Sequence, residues 1–263
     1  MVPSLGDYRR FFIELVSGER ARHEFRIAAT RDRIAAGYLD YSQPLRILDL
    51  ANGRLRPQFQ ILRRAGHFVV GADLANRSQP GWTEPVYRLA RWIYRMHVPD
   101  HKGRTGMPAL LCADVARLPF GSGAFDLVTS VAAFEHFLDV PAVVRELYRV
   151  VRPGGVVFCL IHLFTCPSGG HNVQLMGLPI RRLPRGVQAW DHLRRRRLPF
   201  HVPLNEWRID QYLREFAGTF NILESYCYTR EGEHLLSPEI EAELADYSID
   251  ELTCHSYIIL AGK

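Results

Sequence analysis

Three aspartates and a set of histidines are the residues whose types and spacing could do chemistry here. Asp49 lies in the apolar run LRILDL (45–50), Asp73 near the end of HFVVGADL (67–74), and Asp114 at the end of ALLCAD (109–114). Short apolar runs bounded by turn signals read as buried strands, so each acid stands at a strand's carboxyl end. Aspartate also caps helices and opens turns. Three at successive strand tips nevertheless point to one shared site, because parallel sheets bind ligands beyond those tips. Histidine suits proton transfer at neutral pH. His136 and His162 follow the fourth and fifth apolar runs, while His171, in CPSGGHN, and His192 lie in the segment beyond. A lone histidine is more often structural than catalytic; position singles out His136 and His162. Gly169 and Gly170 beside His171 are expected to act as hinges of a mobile loop.

The elements that must position these residues alternate between strand and helix. PQFQILRRAG (57–66) reads as a helix with Pro57 in its first turn and Gly66 at its end. FDLVTSVAAF (125–134) is a fourth strand. The segment 139–155 is a helix that Asp139 can cap, with Pro141 in its first turn and Val143, Val144, Leu147, Val150 and Val151 on one face. VVFCLIHLF (156–164) is a fifth strand. Residues 220–228 and 254–263 form a last antiparallel pair. Such alternation implies a largely parallel sheet covered on both faces. The loop after Asp49, ANGRLR, holds a single glycine, Gly53. Turns that cradle a pyrophosphate use several, so NAD and ATP are poor candidates.

The chain has 263 residues, 47% of them hydrophobic and 23% charged, enough for one sizeable core. No run approaches the apolar length of a membrane helix, and the N-terminal segment meets charge too early for a secretory signal. Five cysteines without a CxxC pair read as reduced thiols, so neither a disulfide nor a metal site is expected, and a cytoplasmic location is. Residues 162–208 carry 8 arginines and 2 acids, whereas residues 209–263 carry 11 acids and 3 bases. Such asymmetry can steer an anionic partner. The near-absence of lysine, with only Lys102 and Lys263, also allows a plain compositional bias.

ILDLANGRL, VVGADLA, CADVARLPFGSGAFDLVTSVAAFEHFLD and VVRELYRVVRPGGVVFCL together resemble the class I S-adenosylmethionine-dependent methyltransferases, in particular the small-molecule group. The resemblance runs from Leu45 to Phe164. It implies an α/β, Rossmann-like, seven-stranded, mostly parallel sheet with helices on both faces and an antiparallel C-terminal strand. It also implies S-adenosylmethionine as cofactor and one methyltransferase domain over 1–263. Within that domain, 1–44 would be a helical cap, 75–108 an insertion after the second strand, and 164–208 a lid or acceptor insertion. The first motif departs from the family: Ala51 and Leu55 stand where glycines are usual, and only Gly53 is kept. A donor without phosphates demands less of that turn, and Asn52 tolerates left-handed backbone.

By matched position, Asp73 would accept both ribose hydroxyls. Asp114 would accept the adenine amino group, Val115 would donate its N–H to the ring, and Leu74 would cover the adenine face. Asp49, Ala51, Asn52 and Gly53 would line the methionine half, with Val131 and Ala132 near the sulfonium. His136, His162 and His171 are the candidate catalytic residues. The implied acceptor is a small molecule, O-methylated, either a hydroxylated natural product or a sugar-containing intermediate. The basic, aromatic segment 181–208 and the helix around Trp92 would suit an anionic or glycan-containing one. A non-methylating binding protein on the same fold and an RNA methyltransferase stay open as alternatives. The acidic tail and the want of an appended RNA-binding domain speak against RNA.

Overall fold

The computed structural model describes residues 5–76, 83–99, 109–171, 183, 187–197, 200 and 202–263. Helices α1 (Leu5–Val16) and α2 (Glu19–Ala35) precede strand β1 (Arg46–Leu50). Then come α3 (Pro57–Arg64), β2 (Phe68–Ala72), α4 (Thr83–Met96), β3 (Ala109–Leu111), β4 (Phe125–Val131), α5 (Val140–Val150) and β5 (Val151–His162). The chain closes with α6 (Asp191–Arg194), α7 (Ile209–Ala217), β6 (Asn221–Arg230), α8 (Pro238–Glu243), α9 (Ile249–Thr253) and β7 (Cys254–Gly262). The sheet order is β3-β2-β1-β4-β5-β7-β6. β1 to β5 run parallel, and β7 runs antiparallel to both β5 and β6. The seven-stranded, mostly parallel architecture expected from sequence is the one observed.

Side chains on the inner strands alternate between two cores, as a period of two requires. Val156, Phe158 and Leu160 of β5 join Ile47 and Leu127 on one face. Val157, Cys159 and Ile161 join Leu48, Val128 and α5 on the other. Burial on both faces explains why these strands read as unbroken apolar runs. The strand order reverses between β1 and β4, so the crevice for a ligand opens beyond their carboxyl ends.

Asp139 caps α5 as expected, accepting from the Ala142 N–H at 3.0 Å. The helix stops at Val150, though, and Val151 already belongs to β5. The ladder jumps from Phe125↔Val151 to Leu127↔Val156, so the VRPGG segment is a bulge within the strand. Gly154, at φ 71°, supplies the left-handed backbone that the bulge needs. α5 also holds the stretch after Asp114: Arg149 donates to the Leu118 and Phe120 carbonyls, and Glu146 accepts from the Leu118 N–H.

By spacing, Val86, Leu89, Trp92, Ile93 and Met96 can share one face of the 83–96 helix, but of these only Ile93 packs against the core. Ala90 and Tyr94 are fully buried with Leu15, Ala21 and Val98, while Val86, Leu89, Trp92 and Met96 are exposed. A narrow stripe set by one small and one aromatic residue, four positions apart, docks the helix. Among the described residues, no helix is long and apolar enough to cross a membrane.

Candidate active site

The strands deliver the three acids to one edge in different states. Asp49, still within β1, is 2% exposed, and burial raises its carboxyl pKa to about 8; the α3 backbone at Phe59 donates to it. Its Oδ2 has no partner among the described residues. Asp73 follows β2 directly and accepts the Gly53 N–H on Oδ2 at 2.7 Å. β3 ends at Leu111, three residues earlier than its apolar run suggested, so Asp114 lies in the exposed loop beyond and accepts from the Ala116 N–H at 3.0 Å. A three-residue edge strand leaves Ala113 to pack against the core from a loop. Leu74 is 63% exposed, an apolar surface beside Asp73. Val115 is half-buried on the same loop as Asp114.

The loop after β1 works without its usual glycines because each replacement goes somewhere specific. Ala51 adopts φ 49° and Gly53 φ 61°, both left-handed. A methyl group on Gly53 would meet nothing within 4 Å, so the loop is open at that point. Leu55 turns away from the cleft into the core shared with α1, α2 and α4. Asn52 is buried, and neither of its amide atoms finds a partner among the described residues. Asp49 Oδ2 and the Asn52 amide are orphaned polar atoms beside an open turn. That arrangement fits a ligand whose near end carries amino and carboxylate groups.

The acceptor side gathers more than the sequence indicated. His136, His162 and His171, singled out separately, form a contiguous cluster with ring centroids 4.8 Å apart for His136–His171 and for His162–His171. Val131 is half-buried, and Ala132 is exposed in the left-handed region at φ 50°. They lead directly into the short turn that presents Glu135 and His136. Glu135, 2% exposed, has no well-aligned partner for either carboxylate oxygen among the described residues. His136 Nε2 and His171 Nε2 stand 3.9 and 4.0 Å from Glu135 Oε1. Burial raises the Glu135 carboxyl to about 8 and lowers His171 to about 4, so both are neutral near pH 7. His162 is also held well below its usual value by burial. His136 Nδ1 lies 3.0 Å from the Pro203 carbonyl and so is the nitrogen that donates there.

Behind His162 lies a layer the sequence did not suggest. Its Nε2 is 2.9 Å from Ser168 Oγ, and Glu231 accepts from both the Ser168 hydroxyl and its N–H. Cys166 Sγ is 3.4 Å from the same nitrogen, and the His255 ring packs 4.4 Å from that of His162. Glu135 had a signal, the EH pair after β4. Glu231 and His255 had none, because the β5–β7–β6 pairing brings them in from far along the chain.

One expectation for the insertion is corrected, and His192 follows the structural reading. Gly169 and Gly170 are buried packing positions, not hinges: a Cβ would fall 2.1 Å from the Phe164 carbonyl oxygen and 2.8 Å from His192 Cβ. His192 is structural, its Nε2 being 2.7 Å from the Phe164 carbonyl. Four of the insertion's described arginines pair with the acidic tail or with one local acid, Arg195 sharing Glu243 with Arg194. Arg194 binds Glu243, Arg208 binds Glu251, and Arg196 binds Glu206. Arg181, Arg182 and Arg185 lie outside the described residues.

The sequence profile of the methyltransferase domain family matches residues 48–159. The chain is 39% identical to a demethylmenaquinone methyltransferase of Thermus thermophilus over 113 residues, 43% of this chain and 44% of the relative. It is 36% identical to a malonyl-acyl-carrier-protein O-methyltransferase of Halorhodospira halophila over 115 residues, 43% of this chain and 34% of the relative. The chain thus spans less than half the length of either curated relative. In three dimensions it is similar to an S-adenosylmethionine-dependent methyltransferase of Mesorhizobium loti, with a TM-score of 0.52 at 20% identity over 89% of this chain and 97% of that one. The sheet order and the acid-tipped strands accord with the profile match: residues 48–159 are similar to a methyltransferase domain, set in a Rossmann-like sheet.

Proposed function

We propose that this protein binds S-adenosylmethionine across the ends of β1, β2 and β3 and methylates a small hydroxylated acceptor held against the histidine cluster. The observation that carries the reading is the Asp73–Gly53 contact, which fixes a carboxylate at the mouth of an open turn beside an exposed Leu74. A carboxylate accepts several hydrogen bonds at once, so Asp73 can serve both the loop and the ribose hydroxyls. Leu74 covers the adenine, whose edge meets Asp114 and Val115. Asp49, Ala51, Asn52 and Gly53 take the methionine half, and Val131 and Ala132 approach the sulfur. Bound there, the cofactor supplies an electrophilic methyl on a sulfonium that leaves readily. The protein's task is then to align the acceptor, exclude water and take a proton.

His136 is the residue suited to that proton: with Nδ1 donating to the Pro203 carbonyl, Nε2 is the nitrogen placed to accept it in the neutral ring. The two curated relatives are named for different acceptors, so likeness supports the donor and leaves the acceptor to the cleft. A neutral His171, and Arg194 and Arg208 already paired with glutamates, favour a hydroxylated natural product or sugar-containing molecule over an anion. Titration calorimetry with S-adenosylmethionine and S-adenosylhomocysteine tests the donor half. One site per chain is expected, and absence of heat at millimolar ligand refutes it. Mass spectrometry of products from a panel of phenolic, sugar and carboxylate acceptors tests the other half. Tight donor binding without transfer to any of them would mark a binding protein on this fold.

A further inference from the structure

We infer that Glu135, His162 and His171 form a binding site for one divalent transition-metal ion of the Zn2+ or Fe2+ class. One ligand atom from each of the three residues can be chosen so that all lie within 4.8 Å of one another. Tetrahedral coordination with bonds of about 2.1 Å sets neighbouring ligands about 3.4 Å apart, so the cluster closes on an ion by side-chain movements of about 1 Å. Two imidazoles and one carboxylate are a recurrent donor set for such ions, leaving positions open for water or substrate.

The independent sign is what the buried atoms lack. Glu135 is 2% exposed, and neither of its carboxylate oxygens nor Nε2 of His171 has a well-aligned hydrogen-bond partner among the described residues; only the backbone N–H groups of Glu135 and His162 ease the carboxylate's burial, and Oε1 stands 4.0 Å from His171 Nε2. Buried polar atoms are almost always bonded, and a shared ion satisfies all three at once. The surroundings match as well. Ligating histidines commonly donate their second ring N–H to a hydrogen-bonded partner that fixes the ring. His162 has such a partner, since its Nε2 meets Ser168 Oγ, itself held by Glu231, and coordination falls to Nδ1. Another trio, His162 with Cys166 and Glu231, shares that histidine, but its Nε2, Sγ and Glu231 Oε1 already bond to Ser168, which leaves one orphan, Glu231 Oε2, against three in the first trio. It backs the site rather than competing with it.

The ion's role rests on the methyltransferase reading: its open position would hold the acceptor oxygen and ease removal of its proton, with His136 alongside. Binding itself does not depend on that reading. The chain, stripped with a chelator, is titrated with Zn2+ by calorimetry and with Co2+ by visible absorption. One ion per chain is expected, with the Co2+ spectrum of a four- or five-coordinate nitrogen–oxygen site. Glu135→Gln and His171→Asn should each weaken binding at least tenfold, and His234→Ala, an exposed histidine, should leave it unchanged. Melting curves of the variants identify any that fails to fold, and the other then decides. No binding, or binding that both substitutions leave intact, overturns the site. S-adenosylhomocysteine titrated into the same samples separates the two ideas. Donor binding without metal binding sinks the metal site alone, and metal binding without donor binding sinks the methyltransferase reading alone.

Discussion

Replacing Asp73 with alanine tests the donor site most directly, because one carboxylate is asked to do two things. Its Oδ2 accepts from the Gly53 N–H at 2.7 Å, and under the proposed reading the same group would accept ribose hydroxyls. A hydrogen bond to a charged group contributes about 1.5–3 kcal/mol. Losing one ribose contact therefore costs roughly 12- to 160-fold in affinity, at about 1.4 kcal/mol per tenfold. The Gly53 amide adds little to the loss in the free protein, since open space beside that glycine gives water access to the turn. Asp73→Ala should thus weaken S-adenosylhomocysteine binding at least tenfold by calorimetry, with a melting temperature shifted by no more than a few degrees. Asp73→Asn keeps one oxygen for Gly53 but replaces the other with a donor, so its affinity should fall between those of the wild type and Asp73→Ala. Affinity unchanged in Asp73→Ala would show that the ribose lies elsewhere, and the reading of the β2 tip would fall with it.

Two further outcomes follow from strain and from proton linkage. Ala51 holds a left-handed φ of 49°, which costs an L-residue roughly 1–2 kcal/mol, while glycine loses about 0.4–1 kcal/mol through unfolded-chain entropy. Ala51→Gly should raise stability in denaturant by about 0.5–1 kcal/mol, and a loss of stability would contradict the argument. His192 is buried, with its pKa lowered to about 4 from 6.5, chiefly by desolvation, while Asp191, Arg196, Glu206 and the Phe164 carbonyl exert smaller opposed effects. The unfolded chain takes up a proton below pH 6.5 that the folded chain refuses until about pH 4. Stability is therefore lost as pH falls through that window, by at most about 3 kcal/mol from this group. Melting curves between pH 7 and pH 4 should be flatter for His192→Gln than for the wild type; equal slopes would place the proton elsewhere.

The sheet, and the edge at which the three aspartates stand, were legible because they rest on local signals. Apolar runs marked β1, β2, β4 and β5, and an aspartate at or beyond each of the first three tips marked the ligand edge. Strand ends were less legible: Val151 looked helical by spacing, yet pairing with Phe125 claims it for β5. The α4 face was misread because an apolar stripe says which residues could be buried, whereas the neighbours decide which are. Ala90 and Tyr94 dock because α1 and α2 offer room for them, and the bulkier Trp92 stays outside. The acceptor side was half legible. His136 and His162 announced themselves by following strands, but Glu231 and His255 arrive through antiparallel pairing, which leaves no trace in local spacing.

The glycine-poor first loop shows how a family motif can dissolve while its geometry persists. Its usual glycines do separable jobs, and here each job has a different owner. Leu55, at the last motif position, points into the helical core, where a side chain contributes to packing instead of blocking a ligand. Ala51 simply bears the left-handed backbone. Asn52 needs room beneath it, and that room comes from another strand: a Cβ on Gly71 of β2 would sit 2.0 Å from Asn52 Nδ2 and 2.9 Å from Leu110 Cδ2. A glycine requirement has in effect moved from the loop to the sheet under it. Only Gly53 keeps a requirement imposed by the loop itself, left-handed backbone beside open space with an amide aimed at Asp73. A phosphate would have demanded several such amides around one anion. A donor that presents a ribose diol and an amino acid would instead ask for one fixed carboxylate and a few unpartnered polar atoms, the roles proposed here for Asp73, Asp49 and Asn52.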